Sequence, residues 1–384
     1  MHWQNKSLLL ALCLTATVFA AGCSAETTDS SDLTPSFDTT RAFYMGFTPW
    51  NYGIDLASYE DTYAKINANG DIIAHHLQTG IPWQEAYDET AYPSQVDADI
   101  TDRLSYSESG KVIYLAIDSL NGTRDEMAPY WGSSFNEPLS EHPPWDTRDF
   151  TSAEVIQAFT NFALEMITRF NPAYFNYAPE ISELIINDAS KYAQFKTFAA
   201  ALYANIKAVH PDLPILISIA FKNPASVNTT IIQTRIAEIS DYYDMLGIST
   251  YGYIFFDLYG PGGDPENLPT TWLSQAQDIA GSKPLAITET AWIAEDYPLG
   301  EPYNFTITAS AQNQDDYLRK MFEESNALDM EFIIWFSIVD YDTWDATYGN
   351  PTTRIWRDTG LIDGSLVERP GRTTWQSWLA KIRH

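Results

Sequence analysis

Two glutamates in this sequence stand where a pair of carboxyl groups could break a glycosidic bond. Glu289 closes the apolar run Lys283-Pro-Leu-Ala-Ile-Thr-Glu-Thr-Ala-Trp292, and Glu180 follows a proline in Tyr174-Phe-Asn-Tyr-Ala-Pro-Glu-Ile-Ser-Glu183. Such a bond needs one acid to protonate the departing oxygen and a second carboxylate across the acetal. A separation of about 5 Å selects direct attack on the anomeric carbon and retention of configuration. Pro179 cannot donate to a strand ladder, so the strand should stop there and present Glu180 in the following loop. Glu183 is its rival, one helical turn further on. For Glu289 the plain alternative is an ion pair at a strand end; Trp292, three residues later, favours chemistry, with Glu289 as nucleophile and Glu180 as acid/base.

Positioning such residues requires a scaffold whose strand ends converge. Short apolar runs alternate with amphipathic stretches along the chain, the pattern of a parallel α/β fold. The strand candidates are Ala42–Thr48, Asp71–Leu77, Val112–Ile117, Tyr174–Ala178, Ile215–Ala220, Met245–Thr250, Leu285–Thr288 and Phe332–Phe336. The clearest helical stretches are Ala153–Phe170, Ser190–Val209, Thr229–Ile239 and Asn313–Ala327. Several strands are apolar throughout, as strands buried on both faces are. Eight such units predict a single (β/α)8 barrel, a TIM barrel, over residues 41–384. A doubly wound sheet is the alternative, but no glycine-rich phosphate loop follows the first strand. Active sites of such barrels lie at the C-terminal strand ends. Aromatic and acidic residues gather there, suited to sugar rings and hydroxyls. The expected substrate-binding set is Trp50, His76, Asp118, Tyr251, Trp292 and Trp335, and Trp83, Trp131 and Trp344 could line further subsites.

This pattern resembles clan A of the glycoside hydrolases, retaining barrels with the acid/base after strand four and the nucleophile after strand seven. Within the clan it is most similar to the family 53 endo-β-1,4-galactanases. Met245-Leu-Gly-Ile-Ser-Thr-Tyr-Gly-Tyr253 resembles that family's sixth-strand segment, which implies a hydrogen bond from Tyr251 to Glu289. Ile333-Ile-Trp-Phe336 resembles its eighth-strand segment, which implies that Trp335 forms the floor under the cleaved sugar. Thr359-Gly-Leu-Ile-Asp-Gly-Ser365, with Pro370 and Trp375, resembles the clan's tail. The sequence departs from the pattern at two places. Pro179 stands where the clan has asparagine, with Asn176 nearby, and His75-His76 stand where an arginine is usual. Phe135-Asn-Glu-Pro138 looks like the clan's Asn-Glu motif but lies in a Pro- and Ser-rich stretch one unit too early. It reads as a substrate-side loop.

The N-terminus reads as an address. Lys6 precedes the apolar run Leu8–Ala21, and Phe19-Ala-Ala-Gly-Cys23 resembles the lipobox of bacterial lipoproteins. The expectation is a signal peptide over 1–22, a lipidated Cys23, and a Ser/Thr/Asp-rich tether over 23–40. The alternative is an ordinary signal cut near Ala21. Of two cysteines, Cys13 falls in the leader, so the exported chain has no internal disulfide. A formal charge of -29 repels nucleic acid and anionic lipid. The expected partner is a polysaccharide or oligosaccharide, with membrane contact through the N-terminal lipid only. The protein is expected to be an exported monomer on the bacterial envelope, in the outer membrane. No cofactor and no metal are expected. Adjacent His75 and His76 point to opposite faces of a strand, and Asp340, Asp342 and Asp345 lack the spacing of a calcium loop. The rival functions are a sugar-binding barrel without turnover and a structural surface protein.

Overall fold

Runs of apolar residues four to eight long leave backbone groups that only neighbouring strands can satisfy, and here they pair edge to edge until the sheet closes. The computed structural model describes residues 39–254, 262–299, 305–351 and 353–384. Its barrel strands are β1 (Tyr44–Phe47), β2 (Ile72–Leu77), β3 (Val112–Ile117), β4 (Tyr174–Asn176), β5 (Ile215–Ala220), β6 (Met245–Thr250), β7 (Leu285–Thr290) and β8 (Phe332–Trp335). Each lies parallel to the next in chain order, and β8 returns to β1 with Phe332 opposite Tyr44 and Trp335 opposite Phe47. Helices fill the crossovers, so the fold is a single (β/α)8 barrel.

Successive strand residues face opposite sides, and the two sides carry separate cores. Ala74, Tyr114, Ala116, Leu216, Met245, Ala286, Phe332 and Ile334 pack inside the barrel. The rings of Tyr114 and Tyr174 lie 4.9 and 4.8 Å from that of Phe332 and fill its lower half. The alternate residues, among them Ile73, Leu115, Ile217, Leu246, Ile287 and Ile333, pack outwards against the helices. The helix Ala153–Phe170 has the predicted ends and stops at Asn171, whose φ of 45° is left-handed. Asp55 caps the helix Leu56–Asn69 through the Ser58 amide at 2.8 Å.

Three strand boundaries differ from expectation by two residues. β1 is shorter, β4 ends at Asn176, and β7 runs past Thr288 to Thr290. Thr40, expected in the tether, pairs with Ile382 in a parallel bridge of two short strands and belongs to the folded unit Thr39–His384. The expected leader 1–22, Cys23 and the tether through residue 38 lie outside the described residues, as do the first two residues of the Gly260–Asp264 turn. Among the described residues, no helix is long and apolar enough to cross a membrane.

Candidate active site

Alternation along β7 would turn Glu289 outwards, because Ala286 faces the barrel interior and Ile287 the helices. The strand avoids this with one extra residue. Ile287 lies opposite Ile248 and Glu289 opposite Ser249; on the other edge Ile333 and Trp335 face Ile287 and Thr290. Thr288 is therefore bulged, and both Thr288 and Glu289 line the cleft at the barrel mouth. Bulges commonly re-aim a side chain in this way. Room for the bulge comes from Gly247 on β6, where a Cβ would lie 2.5 Å from Thr288 and 2.9 Å from Ser218.

The Tyr251 hydroxyl donates to Oε1 of Glu289. Burial and the charge of Glu180 raise the proton affinity of Glu289. His76, the Tyr251 hydrogen bond and Arg124 oppose them, but the net shift is upwards. The response of Glu289 to the charge of Glu180, and the cleft that both line, place the two carboxyl groups in one site.

Glu180 reaches the cleft through a turn. β4 ends at Asn176, and Glu180 has a left-handed φ of 53°, a conformation that costs a non-glycine residue ~1–3 kcal/mol. Hydrogen bonds hold it there: its amide donates to Ser218 Oγ at 3.1 Å, and Ser249 Oγ donates to its Oε1 at 2.7 Å. Arg124 Nε lies 3.4 Å from Oε2. Asn176 is fully buried and does not reach the cleft; it binds Tyr114 Oη at 2.9 Å, Ser218 Oγ at 3.2 Å and the Ala178 amide at 3.0 Å. It fixes the end of β4.

Arg124 was not foreseen, because it lies in a loop rather than at a strand end. Its guanidinium lines the cleft beside Glu180. Asp118, at the end of β3, joins it to His76: the carboxylate accepts from Arg124 Nη1 and lies 2.7 Å from His76 Nε2. Asp118 is thus a correction to the expected substrate contacts. It is buried behind Arg124 and His76 and does not line the cleft. Burial alone would raise its pKa, but Arg124 and His76 outweigh that and lower it. For His76 burial acts downwards, and Asp118 reverses it to a net rise. Replacing Asp118 by alanine removes the shorter of Arg124's two carboxylate contacts and the carboxylate partner of His76, and is expected to destabilise the fold by about 3 kcal/mol at pH 7, measured by urea unfolding. The carboxylate's contribution exists above its unfolded pKa of ~4 and fades as pH falls through its lower folded pKa, so the deficit should shrink under acid.

The cleft has a volume of ≈ 470 Å³. Glu180, Glu289, Trp50, His76 and Tyr251 line it together with Arg124, Phe336, Tyr341 and Trp356. Trp50 stands 5.3 Å from Phe336 and 5.0 Å from the half-buried Trp344. Two expected contacts lie elsewhere. Trp335 points away from the interior because Phe332 and Ile334 set the inward phase of β8, so Phe336 faces the cleft instead. The Trp335 indole is fully buried under the helices and donates to the Thr359 carbonyl at 2.9 Å. Its replacement by alanine should cost about 3–5 kcal/mol of stability, read by urea unfolding, rather than a selective loss of substrate affinity. Trp292 is likewise buried, stacked 4.5 Å from Tyr317 and donating to the Gly263 carbonyl at 2.9 Å. Trp83 and Trp131 are also core residues.

The remaining sequence candidates are satisfied structurally. His75 turns outwards to Ser107 Oγ at 2.9 Å, and burial pushes its pKa down to about 3. Glu137 accepts from the Ser134 amide at 2.6 Å and pairs with His142 at 2.7 Å, away from the cleft. Asp340, Asp342 and Asp345 pair with Arg369, Arg357 and Arg354 at 2.7, 3.1 and 2.9 Å. Among the described residues, no group of three or more His, Cys, Asp or Glu is placed to hold a metal ion.

Fold and site together define a barrel with two glutamates lining one cleft at its C-terminal mouth. No protein-family model and no curated protein matches the sequence. Solved structures do share its fold. An exo-β-1,4-mannosidase from Opitutaceae bacterium strain TAV5 has a TM-score of 0.62 at 12% identity over 88% of this chain, which spans 59% of the mannosidase chain. The GH53 catalytic domain from Ignisphaera aggregans has a TM-score of 0.56 at 15% identity, over 90% of this chain and 98% of that one. Xylanase 10B from Thermotoga maritima has a TM-score of 0.54 at 13% identity, over 88% and 95%. At these identities the likeness shows the barrel fold.

Proposed function

We propose that this protein is a retaining glycoside hydrolase of the clan A type that acts on β-linked polysaccharide or oligosaccharide, with β-1,4-galactan the first polymer to try. One observation carries the reading: Glu180 and Glu289, from the ends of β4 and β7, line one cleft, where the charge of Glu180 raises the proton affinity of Glu289. The names of the fold's solved neighbours, a mannosidase, a GH53 domain and a xylanase, support it.

In this reaction an oxygen of Glu289 bonds to the anomeric carbon as the bond to the departing oxygen breaks, and Glu180 gives that oxygen its proton. Glu180 then takes a proton from water, which attacks the same carbon and releases Glu289. Tyr251 aims the nucleophile, and Ser249 and Arg124 aim the acid. Trp50 offers a ring to a sugar face, and His76 and Arg124 offer donors to hydroxyls. Glu289 must be ionised to attack, and its proton affinity is raised. Activity should therefore rise through a pH above the usual carboxylate range. The N-terminal segment fits a lipid anchor at Cys23 that holds a monomeric enzyme at the envelope. Proton NMR of the freshly cleaved reducing end tests the mechanism: the β-anomer first supports it, and the α-anomer first refutes it.

A further inference from the structure

The cleft has two unlike walls. β4 and β5 lie across the closed barrel from β8 and β1. The β8–β1 side presents Trp50, Phe336 and Tyr341, and the β4–β5 side presents Glu183 and Lys222. The Lys222 ammonium lies 2.7 Å from Glu183 Oε1, with side-chain exposures of 4% and 25%. Both residues are held in place. Glu183 lies in the first turn of the short helix Ser182–Asn187, and the Lys222 carbonyl accepts from Gln275 Nε2 at 3.2 Å. Neither charge has a part in the displacement. An apolar pair of equal volume would close the wall at no greater cost, whereas an ammonium keeps donors beyond the one given to its carboxylate.

The general acid decides which sugar meets this wall. Glu180 stands on the ionic side and must touch the departing oxygen, whereas Glu289 on β7 stands next to β8 and the aromatic side. Resting on the hydrolase reading above, we infer that Glu183 and Lys222 form the subsite for the departing sugar. The ammonium donates to one hydroxyl and the carboxylate accepts from its neighbour, a grip suited to the vicinal diol of a neutral sugar.

The test uses the full chain with Lys222→Met, Glu183→Gln and the double variant. Substrates are the β-1,4-linked tetraoses of galactose, mannose, glucose and xylose, beside the 2,4-dinitrophenyl β-glycosides of the same sugars, whose leaving group has no diol. On the tetraose that the wild type cleaves, kcat/KM should fall at least about tenfold further than on the matching aryl glycoside, as the loss of a charge-assisted hydrogen bond implies. Aryl glycoside turnover also reports that each variant is folded. Equal losses on the two substrates overturn the inference, as do tetraose rates within about threefold of wild type. A wild type that cleaves aryl glycosides but no tetraose overturns it as well. A wild type that turns over neither set contradicts the hydrolase reading itself.

Discussion

Glu289→Gln is expected to lower kcat on every glycan the protein cleaves by roughly four orders of magnitude, since it removes the attacking atom itself. A better leaving group should not help, because no step precedes attack. The shorter Glu289→Ala leaves room for a small anion, so azide added to a dinitrophenyl β-glycoside should restore turnover and yield the α-glycosyl azide. The same substitution makes a prediction about stability. Glu289 has a raised folded pKa. Relative to the unfolded chain it contributes stability below about pH 4, and that contribution is lost as pH rises through the folded value. Glu289→Gln should therefore melt higher than wild type at pH 7, with the gain vanishing in acid. Calorimetry at two pH values checks this.

Glu180→Gln should behave differently, because its proton is needed only where the leaving oxygen is basic. On polysaccharide the expected loss is about 100- to 10,000-fold, the usual worth of general acid catalysis. On a dinitrophenyl glycoside the first displacement should proceed nearly unaided. The second should stall, because no base activates water. The glycosyl-enzyme then accumulates, visible as a burst of dinitrophenol and as one added sugar mass on the intact protein. A uniform loss across leaving groups, without an adduct, would give the acid role to another residue. Glu183 is then the first to test, since it lines the same cleft.

The barrel was legible because strands buried on both faces leave unbroken apolar runs, and all eight such runs are barrel strands. The place of Glu180 and Glu289 at the barrel mouth was legible because each follows such a run. What the residues along a strand cannot reveal is the phase of its alternation. Trp335 and Phe336 are neighbours, and only the packing of Phe332 and Ile334 inside the barrel decides which ring faces the cleft. The bulge at Thr288 is invisible for the same reason, since it exists only relative to the registers of β6 and β8. Asp118 was misread because a strand-end acid looks alike whether it meets solvent or a buried arginine. Its partner Arg124 comes from an irregular loop with no periodicity to mark it. Trp292 follows its strand closely, yet its indole turns back under Gly263, a loop contact made through tertiary packing.

Under the proposed reaction Glu180 and Glu289 hydrolyse a β-linked glycan together. Its most direct test is reducing-end release from a panel of plant and algal polysaccharides, β-1,4-galactan included, by wild type, Glu180→Gln and Glu289→Gln. Wild type is expected to release reducing ends from at least one polymer, and both variants to lose that release. Release that survives either substitution, or a wild type that binds a glycan yet cleaves none, would contradict that reaction.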